Sequence, residues 1–157
     1  MRGLVRLVAG AALVVAAVCP ASAQVMDKKV LSLEAARKIA SAAEAAALEK
    51  GVGVVIAVVD DGGHLILLHR LDDTQVASVN VGIGKARTAA IYRRPSKDLE
   101  DQIRAGRIAA LALADSTPLQ GGVPIRHDGK VIGAVGVSGD TPQVDEAIAI
   151  TGARAFK

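Results

Sequence analysis

Three glycines spaced three residues apart, Gly133, Gly136 and Gly139, interrupt a run that otherwise reads as a β-strand, "KVIGAVGVSG". Glycine weakens a strand interior, because it adds backbone entropy and offers no side chain to pack. A strand that keeps it needs the empty space: either it bulges or another backbone comes close. Glycine density can also mark a phosphate-binding loop, but the spacing here fits neither GxGxxG nor GxxxxGK[ST]. No strand-to-helix turn opens a crossover unit either. The stretch is expected to be structural, with a sharply turning loop at Gly121 and Gly122, then a hairpin, "VPIRHDGKVIGAVGVSG", turning at "HDGK".

A second hairpin is predicted upstream, where "VGVVIAVVDDGGHLILLHRL" places two β-branched runs around "DDGG". Both of its strands are apolar on both faces, so both are expected to be covered. Before it, Ser32 to Lys50 reads as a helix capped by Ser32, with Leu33, Ala36, Ile39, Ala40, Ala43, Ala47 and Leu48 near one face. After it, a helix is expected from Thr74 to Ala90, burying Val76, Val79, Ile83 and Ala86. Gly82 and Gly84 within that helix each cost roughly 1 kcal/mol against Ala, which points to close packing on a neighbouring backbone. Ser96 is expected to cap a third helix over Lys97–Ala114, ambiguous in its later part. Thr141 is expected to cap a last one, with Pro142 at its first position. Helix, hairpin, helix, helix, hairpin, helix is an α+β order, with helices covering an antiparallel sheet.

The N-terminus, "MRGLVRLVAGAALVVAAVCPASAQ", has Arg2 and Arg6, an apolar run over Leu7–Val18 and small residues at Ala21–Ala23. That is the pattern of a secretory signal peptide, with cleavage expected after Ala23. The apolar run of twelve residues is short of the roughly twenty a span requires, so no membrane insertion is expected after cleavage. Residues 24–157 then form one domain, periplasmic or secreted. Cleavage removes Cys19, the only cysteine, and lowers the net charge from +3 to +1. No disulfide chemistry and no basic footprint for nucleic acid remain. The mature chain is short, apolar and rich in alanine helices, so an apolar helix face should be left over and a homo-oligomer is expected.

Candidate chemistry is sparse. His64 and His127 sit at the two hairpin turns, and His69 near a strand end. His64 and His69, five residues apart, point to opposite faces of a straight strand and do not share a metal locally. With no HxxxH, HExxH or CxxC, no built-in metal site is expected. Asp60–Asp61 and Asp72–Asp73 are carboxylate pairs at element ends, suited to turns and caps or to general acid–base work. Arg70, Asp72 and Lys85 make the more informative set. Lys85, beside the small residues Gly84 and Ala86, can either pair with a carboxylate or reach a ligand anion.

Together, "VVDDGGHLILLHRLDD", "GKARTAA", "LQGGVPIRHDGKVIGAVGVSG" and "DEAIAITG" resemble the GlcG/HbpS family of haem-degrading or haem-binding domains. The resemblance implies a profilin-like, antiparallel sheet of about five strands flanked by helices, and assembly into oligomers, often octamers. It implies haem as a cofactor or ligand, bound outside the cytoplasm by some members. It also implies a threonine near the glycine loop as a haem contact, for which Thr117 is the nearest residue, beside Gly121 and Gly122. Asp73 stands in "RLDD" where the family usually reads like "RMDG". Two functions are thereby in view. One is an exported haem- or tetrapyrrole-binding protein with weak haem-degrading activity. The other is an oligomeric binder of, or enzyme for, a small organic acid, using an Arg70/Lys85 pocket. Almost no aromatic side chain is present to sandwich a porphyrin, since Tyr92 and Phe156 are the only two aromatics.

Overall fold

The structure is a computed structural model that describes residues 25–157. The expected signal peptide, residues 1–23, lies outside the described residues. The elements are α1 (Leu33–Glu49), β1 (Val55–Asp60), β2 (Leu65–Arg70), α2 (Ser78–Ile91), α3 (Ser96–Arg104), β3 (Gly122–His127), β4 (Lys130–Ser138) and α4 (Pro142–Arg154), with a 3-10 turn at Ile108–Ala112 after α3. The α+β class holds. The sheet, however, has four strands among the described residues rather than about five, all antiparallel, in the order β2-β1-β4-β3. Each hairpin contributes one central and one edge strand. Among the described residues, no helix is long and apolar enough to cross a membrane.

The two faces of the sheet differ in side-chain size, and that difference organises the fold. Alternation along β1 sends Ile56 and Val58 to one side and Ala57 and Val59 to the other. On the first side, α1 and α4 cover the sheet through Ala36, Ile39, Ala40, Ala43, Ala47, Ile148 and Ala149. On the second, α2 packs Ala86, Ala89 and Ala90 against Ala57, Val59 and Ala134. Here the glycines act. A Cβ on Gly136 would lie 2.3 Å from the Gly82 carbonyl oxygen and 2.5 Å from the Ala86 nitrogen. Helix backbone rests directly on strand backbone at that point, as a crowded strand and a glycine-bearing helix require. At the β3–β4 turn, Asp128 and Gly129 both have positive φ, 48° and 75°, the conformation of the two-residue turn that "HDGK" favours.

Local signals held where chemistry was local. Ser32 Oγ accepts from Ala35 N, and Thr141 Oγ1 from Val144 N. They failed where packing decided. α2 begins at Ser78, not Thr74, because Thr74 closes a turn by donating its hydroxyl to Leu71 O. Its buried stripe is Gly82, Lys85, Ala86 and Ala89, while Val76 is 75% exposed. Leu33 and Leu48 fall off the buried face of α1. β2 is an edge strand, only half-buried. Ser96 does not cap α3 with its side chain. That hydroxyl instead donates to Leu119 O and accepts from Gly122 N. α3 ends at Arg104, well short of Ala114.

Candidate functional site

The residues singled out in the sequence separate into two places. The first is dry. Lys85, in the third turn of α2, is buried, and its Nζ donates to Asp145 Oδ2 at 2.7 Å and to Val137 O at 3.0 Å. Asp145 lies in the first turn of α4, also buried, and its Oδ1 accepts from Asp140 N at 3.1 Å. Burial pushes the Asp145 carboxyl above the usual carboxylate range, against the opposing pull of the Lys85 ammonium and of backbone N–H groups. The glycine loop lids this pair. A Cβ on Gly121 would stand 2.9 Å from Lys85 Nζ, and one on Gly122 would stand 2.1 Å from Lys85 O. Gln120 ties the loop down through Glu100 and Glu146. Of the two readings open for Lys85, the structure shows the internal ion pair.

Thr117 borders this region. Its backbone N–H donates to Thr88 Oγ1 at 2.7 Å, and its side chain rests on α2 where Gly84 leaves room. A Cβ on Gly84 would lie 2.2 Å from Thr117 Oγ1. Gly84, like Gly82, thus serves close approach, in this case of a loop side chain.

The second place is an open cleft of about 710 Å³ between the C-terminal half of α1 and the end of β2. Arg70 and Asp72 lie here, away from Lys85. Leu48, Val52 and Leu71 give the cleft its apolar wall, and Glu44, His69 and Asp73 add polar groups. Arg70 Nη2 donates to Thr74 O at 2.9 Å. His69 Nδ1 lies 2.6 Å from Glu44 Oε2, a bond between β2 and α1 across 25 residues of sequence. Sequence reasoning missed this pair and also the Lys85–Asp145 pair. Neither Asp145 nor Glu44 stands out in the sequence, since each partner is distant along the chain. Among the described residues, no three His, Cys, Asp or Glu side chains gather so as to hold a metal ion.

Residues 31–154 match the family model described as "Haem degrading protein HbpS-like". The chain belongs to the HbpS-like family. The chain is 44% identical to protein GlcG of Escherichia coli K12 over 111 residues, 71% of this chain and 83% of GlcG. Its structure overlays a double mutant of Streptomyces reticuli HbpS with a TM-score of 0.81 at 28% identity, covering 99% of each chain. It also overlays a complex of PduOC with haem at 0.75 and 26% identity, covering 82% of this chain and 96% of that one.

Asp73, where the resemblance implied a glycine, has φ 59°, in the left-handed region. The turn is kept, and an aspartate carries the strain that a glycine would not.

Proposed function

We propose that the mature protein binds haem or a related tetrapyrrole outside the cytoplasm, with weak haem-degrading activity. The observation that carries this reading is the match of residues 31–154 to a haem-degrading family. The overlay on a haem-bound relative across 82% of the chain adds to it. Haem asks a protein for three things: a lone pair toward iron, an apolar wall for the macrocycle, and a cation near the propionates. The α1–β2 cleft has the first in His69 and the second in Leu48, Val52 and Leu71, with Arg70 at the strand end beside it. Its volume falls within the roughly 300–1,000 Å³ of small-molecule sites. Leu48, 64% exposed at its mouth, offers apolar surface that an empty cleft would leave wet. Aliphatic side chains take the part that aromatics play elsewhere, for Tyr92 is engaged with Ala114 O and Phe156 with the His127 ring.

The organic-acid reading finds less support. It required Arg70 and Lys85 in one pocket, but Lys85 is neutralised by Asp145 and does not line the cleft. Glu44, Asp72 and Asp73 there outnumber the one guanidinium, so a small free anion would meet like charge.

Hemin titration of the mature protein tests the proposal: a Soret shift saturating at fixed stoichiometry supports it, and a linear, unsaturable rise refutes it. Bleaching of that band by peroxide faster than for free hemin would reveal degradation. Export is part of the same proposal. Intact mass should begin at Gln24, and retention of Met1 or Cys19 would contradict it. A homo-oligomer, including an octamer, is proposed as the working assembly. Light scattering that gives a monomer across micromolar concentrations would oppose it.

A further inference from the structure

We infer that His69 is the iron ligand, with Glu44 as the residue that positions it. This rests on the haem reading above and names a side chain for it. Glu44 Oε2 lies 2.6 Å from His69 Nδ1, and a carboxylate accepts only a proton-bearing nitrogen. A neutral His69 therefore carries its proton on Nδ1 and keeps its lone pair on Nε2. Among the described residues, Nε2 has no protein hydrogen-bond partner. The carboxylate also limits rotation of the ring, as outer carboxylates do for metal-bound histidines.

Position and charge agree with this. His69 faces His69's own cleft-mates Leu71, Val52 and Leu48 rather than the hairpin turn, and its side chain is about one-third exposed, which leaves it reachable. Glu44, Asp72 and Asp73 make the cleft favour a positive centre such as ferric iron over a free anion. Arg70, next to His69 on β2, alternates to the other face of the strand opposite Val55 and is tethered to Thr74 O. A single protein ligand suffices for haem iron, so the absence of a three-ligand cluster among the described residues is no obstacle. Thr117, the contact that family resemblance implies, lies against α2 at Gly84 and does not line this cleft.

The test is hemin titration of the mature protein beside His69→Ala, His69→Gln, Glu44→Gln and Thr117→Val. His69→Gln keeps a donor for Glu44 and removes the imidazole, which guards against a folding artefact. His69 is on an edge strand, so both His69 variants should melt within about 2 °C of the parent without hemin. Expected are a histidine-type Soret band in the parent and at least about tenfold weaker hemin binding in both His69 variants. Added imidazole should restore the parent band in His69→Ala. Glu44→Gln should bind more weakly and move the pH dependence of binding. If the parent saturates while both His69 variants keep its band and affinity, the His69 assignment is overturned and the haem reading stands; loss in Thr117→Val alone would then direct the ligand there. If the parent does not saturate, the haem reading itself falls and takes the assignment with it.

Discussion

The two sides of the sheet treat their charged residues in opposite ways. On the α2 side, Gly82 and Gly136 bring backbones together, and Lys85 reaches across to Asp145 of α4, the pair sealed beneath Gly121 and Gly122. Nothing there is left over: each polar atom of the pair has a partner, and a ligand would have to break the packing to reach it. On the α1 side, the core under Ile39 and Ala43 is as dry, but at the end of β2 the helix and strand diverge. Glu44, His69, Arg70 and Asp72 then face an open cleft. Glycine density and a lone lysine thus point to where this fold is tightest. The groups free to act lie where the edge strand is least covered.

The largest effect is expected at Lys85. Lys85→Met should leave Asp145 buried without its partner and cost about 3–5 kcal/mol, read by urea denaturation. The double variant Lys85→Met/Asp145→Leu should recover most of it, because the loss is that of an unpaired buried charge. A single variant as stable as the parent would mean that the site is wet. Next in size is Gly136→Val. Its side chain would enter the Gly82 carbonyl and Ala86 nitrogen, and overpacking of this kind costs about 1–3 kcal/mol, here at the upper end. A parent-like melting temperature would show that helix and strand are not in close contact.

Asp73→Gly sharpens the contrast from the cleft side. With φ 59° at Asp73, glycine relieves left-handed strain and should stabilise by up to about 1 kcal/mol. An unchanged or lower denaturation midpoint would argue that the aspartate is held there by a compensating interaction. The smallest effect concerns pH. Burial raises the Asp145 pKa above its unfolded value of about 3.9, so the folded state holds this proton more firmly. Its contribution to stability is full below the unfolded value and lost as pH rises through the folded one. Asp145→Asn should therefore flatten that part of the stability–pH curve, measured by denaturant midpoints from pH 3 upward. Parallel curves for parent and variant would mean that the carboxyl is not perturbed.

Much of the architecture was legible from residues alone because its causes are local. Two turn signals between β-branched runs specified two hairpins, Ser32 and Thr141 capped their helices, and glycines spaced along one strand required a backbone neighbour. Family motifs gave the class of fold. Local pattern misjudged the end of α3, the start of α2 and the role of Ser96. A competing hydrogen bond decided the start of α2 and the role of Ser96, which bridges Leu119 and Gly122, and α3 stops just before Gly106, which takes φ 97°. The site was less legible still. Lys85 drew notice as a charge among small residues, but its partner lies 60 positions away on α4. His69 and Glu44 are 25 apart, on a strand and a helix whose spacing in the sequence says nothing of their meeting. Composition and periodicity specify which face of an element is apolar. Which two faces meet, and therefore which charge is sealed and which stays reachable, is decided only when the helices settle on the sheet.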